Sequence, residues 1–373
     1  MLKKRILSFL GAAAVTAALT FAVVSVSPSN GFTSGSLQEG MSYDTCGVSP
    51  DAVVASVDGN GATADLITYW IGYNATYLNS YMQYYGGGAL DWDYVMSDGT
   101  AMSDYVKNDV LTTVKQELVI ENLAEKYGVE LTDEQLTAME SDEQGFIEQY
   151  GGEEGFDAEL AKLGLRRETY ERITRTNYLY QDLYKLYLTE GSALYASNED
   201  LAAYAAAQGY ITADHILLTT VDTATGEALS DEAIAEKKAL AEELAEKLKN
   251  YTGDDLASYF AELADEYSED PGRASNPTGY TFTTGSMVQE FEDAAYALDE
   301  GAVSDIVESK FGYHILLRLP LDKTAAAETV REDYFSNFID EQMDKAKTAT
   351  SAEYDKLDAK ALYEAIVAAQ AEG

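Results

Sequence analysis

The sequence predicts an α+β unit interrupting a mostly α-helical domain. Apolar residues recur at helical spacing through residues 51–209 and again beyond 321, whereas residues 210–320 follow the order β-α-α-loop-α-β-β. The chain also holds only two histidines, His215 and His314. Each lies in a short β-branched and leucine-rich run inside that central unit, and each run reads as a strand.

The helical part is legible from its stripes and caps. Residues 53–57 read as a short strand ended by Asp58-Gly59. Asp58-Gly59-Asn60-Gly61 lacks the bidentate Glu of a calcium loop and has its glycine misplaced, so it reads as a turn. Thr63 caps a helix with Leu66, Ile67, Trp70 and Ile71 on one stripe, and residues 84–100 form a glycine-rich loop. Residues 102–127 carry Val106, Val110, Val114, Leu118, Ile120 and Leu123 and close at Gly128. Further helices are expected from Thr132, over 156–163, over 167–188 and from Asn198 to near Gly209. Tyr178, Tyr180, Tyr184 and Tyr187 read as core packing with wet hydroxyls; the functional alternative is a groove that grips extended apolar peptides.

In the central unit, Ile211, Ala213, His215 and Leu217 share one strand face, with Ile216 and Leu218 on the other. Two helices follow, one with Ile234, Ala241, Leu244 and Leu248 inward, the next with Leu256, Phe260, Leu263 and Tyr267. An irregular loop spans 273–280. A third helix then carries Met287, Phe291, Ala295 and Leu298 and stops at Gly301. Strands at 304–307 and 313–319 close the unit at Pro320. The helices expected over 325–347 and 357–369 are too short to form a domain, so residues 321–373 are expected to pack back on the helical domain.

Composition narrows the function. A net charge of -40 argues against a nucleic-acid surface and against adhesion to anionic lipid. Solubility outside the cell explains it first, attraction of cationic clients second. Lys3, Lys4 and Arg5 followed by an apolar run make residues 1–27 an export signal or an N-terminal anchor, with 28–50 as a linker. The bulk of the chain is then extracytoplasmic, secreted or held at the outer face of the membrane through that segment alone. The single cysteine, Cys46, excludes an internal disulfide and lacks the context of a lipidation site.

Residue types alone leave several chemistries open for the two histidines. They could be satisfied core residues. They could join Asp270 around zinc, but no close HxxxH or CxxC spacing supports that. A hydrolase triad would need a nucleophile elbow such as G-x-S-x-G, which the chain lacks.

The ordered motifs decide among them. Ala213-Asp214-His215-Ile216-Leu217 is followed by Leu263-Ala264 and Tyr267-Ser268-Glu269-Asp270. Then come Gly285-Ser286-Met287-Val288-Gln289-Glu290-Phe291-Glu292-Asp293-Ala294-Ala295 and Phe311-Gly312-Tyr313-His314-Ile315. Residues 211–319 thus resemble the parvulin family of peptidyl-prolyl isomerases. The whole chain is similar in layout to secreted Gram-positive foldases and to the periplasmic outer-membrane-protein chaperone.

The resemblance implies an antiparallel sheet flanked by helices and prolyl isomerase activity without cofactor or metal. His215 and His314 would be paired imidazoles and Asp270 would face the prolyl bond. Met287 and Phe291 would take the proline ring, and Ser309 would support the histidines. Clients would be unfolded or nascent exported polypeptides with Xaa-Pro bonds, the helical domain acting as chaperone; homodimerisation stays open. The alternative is a silent holdase that uses the unit as a clamp.

Two departures stand out. Where the family carries Gly-Gly-Asp-Leu-Gly, this chain reads Asn276-Pro277-Thr278-Gly279-Tyr280-Thr281-Phe282. Residues 219–233 also lack the basic cluster of phosphate-directed parvulins, which argues against phosphorylated substrates.

Overall fold

The computed structural model describes residues 31–84, 88–222, 225–321 and 323–371, so the expected export signal at 1–27 lies outside them. The chain divides into two compact units: one joins the part up to Tyr195 to Asn337–Gly373, and the other is Ala196–Ser336.

The first unit begins with α1 (Met41–Cys46) and the hairpin β1 (Val53–Val57) and β2 (Asn60–Thr63). Asp58 at φ 50° and Gly59 at φ 93° make its two-residue turn, the left-handed pair that an Asp-Gly hairpin requires. Helices α2 (Ala64–Tyr84), α3 (Met102–Tyr127), α4 (Asp133–Gln149), α5 (Glu153–Lys162) and α6 (Arg167–Leu188) follow. The apolar stripe of α3, from Val106 through Leu123, is buried, and Gly128 caps the helix in the left-handed conformation. A capping box starts α4: the Gln135 amide donates to Thr132 Oγ1 and the Thr132 amide to Gln135 Oε1. The fully buried Asp65 carboxylate ties α2 to α6 by accepting from Thr169 Oγ1 at 2.5 Å and Arg166 Nε at 2.9 Å.

The stretch expected as a linker, 28–50, is folded over much of its described part. Asp51 accepts from the Ser36 amide at 2.9 Å, the Leu37 amide at 3.2 Å and Ser49 Oγ at 2.5 Å. This carboxylate knot and a six-residue helix leave no periodicity for a sequence reading to find.

The second unit holds α7 (Asn198–Ala207), β3 (Ile211–Thr219), α8 (Asp231–Lys249) and α9 (Leu256–Tyr267). It continues through β4 (Tyr280–Phe282), α10 (Gln289–Ala297), β5 (Val307–Ser309) and β6 (Gly312–Leu319) into α11 (Lys323–Lys345). The strands form an antiparallel sheet in the order β4-β3-β6-β5. Alternation along β3 and β6 sends Ile216, Leu218, Tyr313, Ile315 and Leu317 to one face, where Leu244, Leu248, Phe260 and Leu263 of α8 and α9 cover them. Ile211, Ala213 and Leu316 face the other side, against Phe282, Phe291 and Ala295. That second face carries both histidines.

Three features depart from the sequence reading. The strand expected at 304–307 is β5 at Val307–Ser309, while residues 302–304 reach β6 through an isolated bridge, Val303 to Leu317. Met287 precedes α10 instead of lying within it. The compact unit is also wider than 210–320. The rings of Tyr204 on α7 and Tyr334 on α11 meet at 4.8 Å, and Tyr210 Oη donates to Asp333 at 2.7 Å. Amphipathic stripes mark helices without saying which neighbour they cover, so this pairing is invisible in the sequence.

Past α11 the chain forms β7 (Thr348–Thr350), α12 (Ala352–Lys356) and α13 (Ala359–Ala371). β7 adds to β1, Ala55 opposite Thr350, giving the first unit a three-stranded sheet of order β2-β1-β7. Gly72 on α2 lets α13 approach closely: a Cβ there would stand 2.5 Å from Ile366 Cδ1. Main-chain pairing and this packing make the C-terminal segment part of the N-terminal unit.

Candidate functional site

The site is built on the two central strands. β3 and β6 pair with His215 opposite Leu316 and Leu217 opposite His314, so both imidazoles rise from one face. Their ring centroids are 5.5 Å apart at 70°. Gly312 sets the start of β6: at φ 146°, a Cβ on it would meet the Leu218 carbonyl oxygen at 2.1 Å. Ser309, at the end of β5, places Oγ 2.7 Å from His314 Nε2.

Phe291 comes down from α10. Its ring is edge-on to both histidines, 5.2 Å from His215 and 5.7 Å from His314. Met287 packs on the same apolar cluster as Phe291 and Leu316. The turn that carries it is held by Glu292, whose buried carboxylate accepts the Gly285 amide at 3.0 Å and the Met287 amide at 2.8 Å. Burial pushes the Glu292 carboxyl up, but the amides of Gly285, Met287 and Ser286 outweigh it and hold it below the usual carboxylate range.

Asp270 arrives on the loop after α9. β4 covers β3 only from Ile211 to Ala213, which leaves the edge of β3 open beyond that point. Ser268 and Glu269 close it: Leu217 donates to Ser268 Oγ at 3.1 Å, Glu269 donates to the Leu217 carbonyl at 2.8 Å, and Thr219 donates to Glu269 Oε2 at 2.8 Å. Asp270 then stands with Oδ2 3.6 Å from His215 Nε2. Arg273 anchors the continuing loop, with Nη1 2.6 Å from the buried Asp214 and Nε 2.9 Å from Asp265.

Electrostatics keep the two rings neutral near pH 7. Burial pushes His215 down to about 4, against the Asp270 charge that favours the protonated form. Burial and the neighbouring His215 push His314 down to about 4 as well. Neither His215 ring nitrogen nor His314 Nδ1 has a hydrogen-bond partner among the described residues. The result is a buried floor of neutral polar groups with one carboxylate at its edge and the Phe291 ring against it. Such a floor suits a reaction that redistributes charge without forming a covalent bond.

Of the residues picked out in the sequence, His215, His314, Asp270, Phe291 and Ser309 meet here, and Met287 joins through the apolar cluster. Sequence reasoning missed Tyr280, whose ring lies parallel to His215 at 5.5 Å and whose hydroxyl donates to Asp270 Oδ2 at 2.5 Å. It also missed Glu292, Ser268 and Arg273. An acid directly after Phe291, in the run that leads to Ala294 and Ala295, was the signal available for Glu292.

Residues 215–319, which run from the first histidine to the end of β6, match the family described as Rotamase, the PPIC-type PPIASE domain. The α+β unit is a parvulin domain. The match takes in all six of those residues. The foldase protein PrsA of Geobacillus sp. (strain WCH70) is 39% identical over 121 residues, which are 32% of this chain and 43% of that protein. This chain thus spans less than half of that relative's length. PrsA of Staphylococcus aureus (strain bovine RF122 / ET3-1) is 26% identical over 259 residues, 68% of this chain and 71% of the relative. Among solved structures, PrsA from Bacillus subtilis is 21% identical, with 76% of this chain and 94% of that chain covered; its TM-score of 0.25 is too low to compare arrangements.

Proposed function

We propose that this chain is a prolyl isomerase and foldase for unfolded polypeptides exported from the cytoplasm. The observation that carries the reading is the buried histidine pair, with Asp270 beside His215 and the Phe291 ring edge-on to both histidines. The foldase names of the relatives support the wider role, and the basic n-region of residues 1–27 supports work outside the cytoplasm.

Rotation about a peptide bond is opposed by a barrier of about 18–20 kcal/mol, because resonance makes the bond partly double. Prolyl bonds consequently isomerise over tens of seconds or more. In this reading Phe291 and Met287 hold the proline ring in a water-poor pocket. A planar amide is charge-separated and loses more on leaving water than the twisted one does. His215 and His314 orient polar groups around the twisted state, Ser309 fixes the His314 ring, and Asp270 faces the turning bond. No proton has to leave the substrate and no cofactor enters the scheme.

A protease-coupled assay on the full chain tests this. His314→Ala and Phe291→Leu should each lower kcat/KM about tenfold or more, the leucine keeping the core filled. A wild-type rate no faster than buffer would sink the isomerase reading and leave the clamp. A peptide-holding face on the helical unit, separate from that clamp, has its own observation. Tyr73, Tyr77 and Tyr81 follow one face of α2 at helical spacing and remain 37%, 44% and 42% exposed. Suppression of client aggregation by wild type, lost when these three become serine, would support it.

A further inference from the structure

Tyr280 sits in the loop where the sequence leaves the family pattern, and the structure shows what it does there. It opens β4 opposite Ala213, on the strand face that His215 also shares. Gly279 makes that start feasible: at φ 87°, a Cβ on it would meet the Ala213 carbonyl oxygen at 2.8 Å. From this position the Tyr280 ring lies 12° from parallel with His215, and its hydroxyl donates to Asp270 Oδ2 at 2.5 Å. The Gly272 amide donates to the other oxygen, Oδ1, at 3.0 Å. Both oxygens of Asp270 are therefore held. Oδ2 stays 3.6 Å from His215 Nε2, beyond hydrogen-bond distance.

We propose that Tyr280 is a positioning residue of the isomerase site, its hydroxyl holding the Asp270 carboxylate off His215 so that the two do not form a hydrogen bond. This rests on the isomerase reading. Among the described residues, rings and charges stand against His215 from four elements. β6 offers His314 and the apolar Leu316, α10 offers Phe291, the loop after α9 offers Asp270, and β4 offers Tyr280. Arg273 acts at longer range and is already paired to Asp214 and Asp265. Asp270 is thus the anion that favours a proton on the His215 ring, against the burial that disfavours one. Without the tyrosine hydroxyl, Oδ2 needs to move only about 0.6 Å to accept from a protonated Nε2. Such a bond to the charged form favours imidazolium.

With two histidines in the chain, ring-proton NMR of the full-length protein reads each one directly. Tyr280→Phe keeps the stacked ring and removes the hydroxyl. We expect the His215 midpoint to rise by about one pH unit or more while that of His314 moves less. The acid limb of kcat/KM should rise with it. Asp270→Asn should lower the His215 midpoint instead, and adding Tyr280→Phe to it should change neither titration nor rate. A His215 curve in Tyr280→Phe that superposes on wild type, or full additivity with Asp270→Asn, overturns the proposal. An inactive wild type would sink the isomerase reading, while the NMR titration still decides whether Tyr280 restrains Asp270.

Discussion

His215 and His314 are nearly buried rings that water would protonate at mildly acid pH. Burial takes both from the ordinary 6.5 down to about 4. Between those limits the unfolded chain binds more protons than the folded one, so stability falls as pH drops through this window. Above it the rings no longer affect stability. A shift of this size amounts to on the order of 3 kcal/mol for a ring titrating alone. The urea midpoint of the full-length protein should therefore be lower at about pH 4.5 than at neutrality. Other groups add to that fall, so the decisive quantity is the difference from His215→Gln/His314→Gln, in which the drop should shrink. Equal drops would show that the two rings stay solvated. For turnover the same shifts predict a rate that is flat from neutral pH down to about 5 and lost near 4.

Elements bring these side chains together, and the turn before α10 depends most on one residue. Glu292 accepts the backbone amides of Gly285 and Met287, one on each carboxylate oxygen. Glutamine in its place offers one acceptor and one donor, so at least one of these bonds is lost at a cost of about 1 kcal/mol. Glu292→Gln should lower the melting temperature and, by freeing Met287, raise KM more than it lowers kcat; an unchanged KM would mean Met287 takes no part in holding substrate. This turn also marks how far the sequence could be read. Helices α3 and α6 fall on the residues 102–127 and 167–188 that their stripes indicate, because long periods average out local exceptions. The histidine pair was visible because two rare residues sat in strand contexts of matching alternation. Strands β2, β4 and β7 are three or four residues long and have no period to detect. Tyr280 escaped notice for the same reason: its value lies in pairing with Ala213 across a long gap in sequence, which no local pattern encodes.

At the scale of the whole molecule, the parvulin domain needs more chain than its family match covers. Thr283 Oγ1 donates to the Gln208 carbonyl at 3.0 Å, and Tyr296 Oη donates to the Gly209 carbonyl at 2.9 Å. These bonds tether the turn before α10, and α10 itself, to the residues just ahead of β3. A fragment beginning at residue 210 loses both acceptors, and one ending at 320 also loses Asp333, the partner of Tyr210. Each lost bond is worth about 1 kcal/mol, and for a domain near 100 residues 1 kcal/mol shifts the melting temperature by about 4–8 °C. A fragment of residues 196–336 should thus melt on the order of 10 °C or more above one of residues 210–320. It should also retain more isomerase activity, because α10 carries Phe291 over the histidines. Differential scanning calorimetry on the two fragments checks the first expectation, and the protease-coupled assay checks the second. Equal midpoints would mean that α7 and the first half of α11 lie beside the domain without supporting it.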